Sequence, residues 1–140
     1  MDFSSVTISF FVHSTEDEDR ILKLVEDIFG IENTEIIREK ISGHFGNQIT
    51  VIRAHIIGQR AQIVAHRIVV ALSSEARASI HGEITRSLDE HDSLYLRLDR
   101  QSFEDRTLSV SDEEPIRVKL KPKVRSGRQF MIRQYEEMIE

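Results

Sequence analysis

The chain has no cysteine and no tryptophan among its 140 residues. Without a thiol there is no disulfide framework, no thiolate metal site and no cysteine nucleophile. Proline occurs only at Pro115 and Pro122, and the six glycines are scattered, so no Pro/Gly/Ser-rich linker divides the sequence. No apolar run approaches the ~18 residues that a membrane-crossing helix needs. The N-terminus also lacks a basic-then-apolar leader. No membrane partner is expected, and the default compartment is cytoplasmic. Aromatic residues are few, two tyrosines and seven phenylalanines, too sparse for an aromatic-platform module.

What remains is lean but regularly spaced. Hydrophobic residues make up 39% and charged residues 31% of the sequence, and the length suits one domain spanning residues 1–140. The net charge of −5 hides a strong asymmetry. Residues 1–30 carry Asp2, Glu16, Asp17, Glu18, Asp19, Glu26 and Asp27 against only Arg20 and Lys23. Residues 115–133 carry Arg117, Lys119, Lys121, Lys123, Arg125, Arg128 and Arg133 and no acid. Binding responds to the local field, so this distribution says more than the sum.

Val6, Ile8, Phe10 and Val12 alternate with Thr7, Ser9, Phe11 and His13, the pattern of a half-buried strand. Thr15 to Glu18 fits a capping box opening a helix in which Ile21, Leu24, Val25 and Ile28 share a face and Gly30 is the stop. Residues 34–42 and 48–57 read as two strands. The loop Gly43-His-Phe-Gly-Asn47 joins them as a hairpin whose glycines can take positive φ. After Gly58, Ala61, Val64, Ala65, Ile68 and Leu72 mark a helix. Ser73 or Ser74 caps the next, with Ile80, Ile84 and Leu88 on one side. Leu94 to Leu98, Leu108 to Val110 and Ile116 to Val124 read as strands, and a helix follows from about Gly127. The expected class is α+β: a largely antiparallel sheet with helices packed on one face, ordered strand, helix, two strands, two helices, three strands, helix. In the last helix Met131, Tyr135, Met138 and Ile139 form a stripe that suits either the chain's own sheet or a second copy, so a homodimer is a possible partner state.

In the last strand the odd positions, Arg117, Lys119, Lys121, Lys123 and Arg125, are all cations, and Ile116, Val118, Leu120 and Val124 occupy even ones. Strand periodicity therefore projects five cations from one side, about 7 Å apart, close to the phosphate spacing of a nucleic-acid backbone. Two readings stand: a charged face that guards an edge strand against aggregation, and an anion-binding face. The absence of any acid favours the second, because an ordinary solvated face mixes signs. Tyr95 and Arg97 project together from their strand, where one could stack a base and the other hold a phosphate.

Catalytic signatures are missing. The six histidines include no pair at i, i+3 or i, i+4, so no zinc site is expected. There is no P-loop, no Gly-x-Gly-x-x-Gly and no Gly-x-Ser-x-Gly, and the acids at 16–19 are explained by a helix start. We expect neither enzyme activity nor a cofactor.

Four stretches together carry a family resemblance: His13 to Ile21, the loop Gly43-His-Phe-Gly-Asn47, the strand Leu94-Tyr-Leu-Arg-Leu-Asp-Arg-Gln101, and Ile116-Arg-Val-Lys-Leu-Lys-Pro-Lys-Val124. In this order they resemble the archaeal RNA-binding proteins described as exosome-subunit-like, over nearly the whole chain. Gln48 departs from the proline common after the loop Asn in that family. The resemblance implies an α+β fold similar to the ribosomal protein that holds 5S RNA in the large subunit. It also implies RNA binding, with exosome or ribosome components as partners. On that basis Arg117, Lys119, Lys121, Lys123 and Arg125 are candidate phosphate contacts, and His44, Asn47, Arg97, Arg100 and Gln101 are candidate shape or base contacts. The competing reading is a protein-interaction module that docks an acidic partner on the same cations.

Overall fold

The computed structural model describes residues 1–43 and 45–140. It has five strands, β1 (Phe3–His13), β2 (Ile36–Ser42), β3 (Gln48–Ile57), β4 (Leu94–Leu98) and β5 (Ile116–Pro122). They form one sheet in the order β2-β3-β1-β5-β4, and every neighbouring pair is antiparallel. The helices are α1 (Glu18–Phe29), α2 (Gly58–Ala71), α3 (Ser74–Gly82), the single turn α4 (Ile84–Ser87) and α5 (Arg128–Ile139). The expected α+β class, with helices on one face, holds.

The alternation of β1 decides the layering. Val6, Ile8, Phe10 and Val12 are buried, as are Ala54 and Ile56 of β3, Leu94, Leu96 and Leu98 of β4, and Val118 and Leu120 of β5. They meet Leu22, Val25, Ile28 and Phe29 of α1, Ala61, Val64, Ala65 and Ile68 of α2, and Met131, Tyr135 and Ile139 of α5 in one hydrophobic cluster. The α5 stripe is thus spent on the chain's own core, so it gives no motive for a second copy. Tyr135 is the largest fully buried side chain, and its hydroxyl donates to the Asp92 carbonyl at 2.6 Å.

Several sequence expectations change. The helix cap is Asp17, not Thr15: its carboxylate accepts from the Arg20 N–H, while Glu16 turns back to accept from the His13 N–H at 2.9 Å. The first of the two strands following α1 begins at Ile36, after a 3-10 turn over Asn33–Glu35. The helical stretch after Ser73 breaks at Glu83 into α3 and α4, giving three helices between β3 and β4 where two were expected. Residues 108–110 make only isolated bridges, Leu72 to Leu108 and Val110 to Leu98, so there are two late strands, not three.

The basic strand is also shorter than expected. It ends at Pro122, and Val124 is exposed, not in the core. Proline has no N–H to continue a ladder, so the chain leaves the sheet there and Lys123 and Arg125 lie beyond it. Only Arg117, Lys119 and Lys121 stand on the strand itself.

Candidate nucleic-acid interface

With all the helices on one side, the other face of the sheet is uncovered. Its composition follows from register. Arg117, Lys119 and Lys121 of β5 stand directly opposite Ser9, Thr7 and Ser5 of β1. Small hydroxyl neighbours cannot shield or neutralise long cations, so the three project above a low surface. Across the other edge of β5, Lys119 faces Tyr95 and Arg117 faces Arg97. The Lys119 ammonium sits 5.6 Å from the centroid of the Tyr95 ring, a cation–π contact. Arg97 and Arg117 are like charges in direct cross-strand register, an arrangement that weakens a sheet. Folding alone does not ask for it. Beyond β1 the face is mixed, with Ile57 of β3 and Ile37 and Ile41 of β2 exposed, His55 hydrogen-bonded to Thr7 at 2.9 Å, and Arg53 paired with Glu39 at 2.7 Å.

The rest of the molecule uses its cations differently. Arg60 pairs with Glu35 and donates to the Gly30 carbonyl, and Arg67 donates to the carbonyls of Asp27 and Ile28, so both close the C-terminal end of α1. That is where a helix dipole favours positive charge. The Arg60 hydrogen bond holds the Glu35 carboxyl below its ordinary pKa despite partial burial. Arg77 reaches carbonyls at the ends of α2 and α5, Val69 and Ile139 among them. Arg125 and Arg128 close on Asp92 at 3.0 and 2.8 Å. Among the described residues, the lysines and arginines with no ion pair or side-chain hydrogen bond are Lys40, Arg117, Lys119, Lys121, Lys123 and Arg133. The run at alternate positions from 117 to 123 is the concentration of unspent charge. The acids of α1 lie on the helix side, which reconciles a cationic face with a net charge of −5.

The sequence candidates therefore separate. Arg117, Lys119, Lys121 and Arg97 share the uncovered face, and Lys123 follows at its end, exposed, with its backbone N–H on the Asp2 carbonyl at 2.9 Å. Arg97 also reaches Asp112 at 3.4 Å. Arg100 is largely withdrawn, bound to Glu16 and to the Phe11 carbonyl. Burial pushes its pKa down, against the pull of Glu114. Gln101 is exposed in a 3-10 turn over Gln101–Asp105, beyond the end of β4. Asn47 is exposed in the β2–β3 connection, where its carbonyl accepts from the Gly43 N–H and Gly46 has φ of 80°. His44 lies outside the described residues.

Sequence reasoning did not find Asp92. It is 3% exposed with φ of 60°. Burial works to raise its carboxyl pKa, but the hydrogen bonds from Arg128 and Arg125 outweigh it and hold the group below the ordinary value. A tripeptide such as Glu-His-Asp at 90–92 carries no pattern that announces such a role.

A second feature adjoins the face. At the outer edge of β4, Tyr95, Arg97, Arg86, Asp89, Asp112 and Arg117 are among the residues lining an open cleft of about 670 Å3. The Tyr95 hydroxyl donates to Asp89 at 3.3 Å.

A family described as RNA binding matches residues 5–122. The RNA-binding protein PAB1135 of Pyrococcus abyssi is 30% identical over 125 residues, covering 85% of this chain and 81% of the relative. The crystal structure of protein AF2318 from Archaeoglobus fulgidus superposes with a TM-score of 0.77 at 26% identity, over 98% of this chain and 99% of that one. Mth689 from Methanothermobacter thermautotrophicus shares the fold with a TM-score of 0.78 at 23% identity, over 99% and 98% of the two chains.

Proposed function

The chain belongs to the RNA-binding family, and from that premise we propose that it holds RNA on the uncovered sheet face without catalysing a reaction on it. Arg117, Lys119, Lys121 and Lys123 contact successive phosphates, with Arg97 beside them. The observation that supports this reading is the row of cations without an ion pair, among the described residues, opposite Ser5, Thr7 and Ser9, in a molecule that ties down most of its other cations. Phosphate contacts fix position without reading sequence, so binding is broad in sequence preference. The finer assignment, an accessory role in archaeal RNA processing beside exosome or ribosome components, is supported by the sequence resemblance alone.

Salt dependence is the test. Four phosphate contacts on a single strand give a slope of log K against log salt of about −2.8. A fourfold rise in salt then weakens binding about 50-fold. Changing Lys119 and Lys121 together to Gln reduces the slope to about −1.4 and cuts that loss to about sevenfold, alike for unrelated RNAs. A double variant that binds with the parent's slope places the phosphates elsewhere and leaves these cations as a dock for an acidic protein, since β5 lies between β1 and β4 and has no edge to guard.

A further inference from the structure

The cleft at the β4 edge has a charge balance unlike that of the neighbouring face. Its carboxylates are already partnered: Asp112 with Arg97, Glu83 with Arg86 at 3.3 Å, and Asp89 with the backbone N–H groups of His91 and Ser93 and with the Tyr95 hydroxyl. Its arginines are matched in the same way, except for Arg117, which also belongs to the cationic face. A near-neutral, polar recess is a poor place for a phosphate and a good place for a flat heterocycle with donors and acceptors on its edge. Its volume of about 670 Å3 lies within the range of small-molecule sites and exceeds what one nucleoside needs.

Tyr95 stands where the recess meets the cations. Its side chain is 45% exposed, yet the ring is held at two points, by the Lys119 ammonium over its face and by the hydroxyl bond to Asp89. A ring fixed in place before binding loses little freedom when a base lies on it. We infer that one base of single-stranded RNA leaves the strand's stack and packs on Tyr95 inside this cleft, while the adjoining phosphates run along Arg117, Lys119 and Lys121. This rests on the proposed RNA-binding reading of the sheet face and adds the substrate class: an unpaired strand, because a base paired within a duplex is not free to enter.

The chain supplies its own reporter. It has no tryptophan and only two tyrosines, and Tyr135 is fully buried, so Tyr95 is the accessible emitter. Titration with decauridylate quenches tyrosine emission in the parent and in Tyr135→Phe. Tyr95→Leu weakens decauridylate binding about 5- to 150-fold, Tyr95→Phe stays within about twofold of the parent, and neither changes the salt slope. Binding of a blunt RNA duplex is the same in the parent and in both Tyr95 variants. Thermal melting checks that Tyr95→Leu is folded. The inference is overturned if Tyr95→Leu binds decauridylate as the parent does, if it loses duplex binding equally, or if Tyr95→Phe is as weak as Tyr95→Leu, which assigns the effect to the hydroxyl. Parent-like binding by Tyr95→Leu, with a reduced salt slope in the Lys119→Gln/Lys121→Gln variant, overturns the stacking alone. An unreduced slope there, or no RNA binding by the parent, removes the sheet-face reading and the stacking with it.

Discussion

Arg117, Lys119 and Lys121 lie on a strand opposite small hydroxyl residues and make no ion pair among the described residues, whereas Arg125 and Arg128, a few residues on, close on one buried carboxylate. In sequence the two groups form a single acid-free run. The fold separates them at Pro122, where the chain leaves the sheet. Before it, strand geometry points alternate side chains away from the core; after it, the chain turns toward the 88–93 segment, and Arg125 donates to the Glu90 carbonyl and Arg128 to those of Asp89 and Leu88. Positive charge in a sequence is thus two different things. One part is available to a partner and costs the fold a little through repulsion. The other is tied to a buried carboxylate and to backbone carbonyls, where it holds the fold together.

The sharpest way to break this comparison is to remove the buried partner. Asp92→Asn keeps the size of the side chain and tolerates the left-handed backbone at φ of 60°. It leaves two arginines facing a neutral amide. Because both are half exposed, the loss is below that of a fully buried pair, about 2–4 kcal/mol in urea denaturation. The salt slope of RNA binding by the folded variant does not change. If it steepens, the second half of the run also meets RNA and the division at Pro122 is wrong.

Acid sharpens the same point. The Asp92 carboxyl is depressed in the folded state by Arg128 and Arg125 acting against burial, so its stabilisation is fully present above the unfolded-state value near ~3.9. It is lost as pH falls through the lower folded value, because the unfolded chain then binds the extra proton more readily. Glu35, held down by Arg60, and Asp89, where N–H bonds from Ser93 and His91 outweigh burial, add losses in the same direction. The stability gap between the parent and Asp92→Asn therefore narrows below about pH 4 and is constant from there to neutrality. A gap that persists unchanged into strong acid would mean that the aspartate contributes through shape and not through charge.

The sequence made some of this legible and concealed the rest for a physical reason. The alternation of β1 and of Ile116 to Leu120 is local information, because a half-buried strand must alternate, so the sheet face and its cations could be read directly. Gly30, φ of 73° at the end of α1, and the Ser73 cap, accepting from the Ala76 N–H at 3.0 Å, are equally local. The strand's end was also written there, in Pro122, though the charge alternation running past it to Arg125 suggested otherwise. What no window of sequence shows is pairing between distant residues: Asp92 with Arg125 and Arg128, Arg60 and Arg67 with the end of α1, or Arg100 with Glu16. A lone cation reads the same whether it meets solvent or a carbonyl 30 residues away. The cleft beside Tyr95 is hidden for the same reason, since residues 79–89, β4 and residues 110–112 meet there only in the fold.

The smallest expected effect has opposite signs in stability and in binding, and it tests the first half of the run alone. Arg117 faces Arg97 directly across β4 and β5, and among the described residues it has no ion pair or side-chain hydrogen bond, while Arg97 has only the exposed Asp112. Arg117→Gln removes a like-charge cross-strand pair and leaves a polar side chain with similar reach, so stability rises by about 0.2–1 kcal/mol. The same change deletes one phosphate contact, so the salt slope flattens by about 0.7. Arg125→Gln does the reverse. It removes one of the two cations on Asp92, lowering stability, and leaves the slope as it was. Neither measurement alone separates the halves, because any surface substitution can shift stability by a few tenths. The crossed signs do. If Arg117→Gln destabilises and leaves RNA binding untouched, Arg117 is a structural residue like Arg125, and the cationic face shrinks to its lysines.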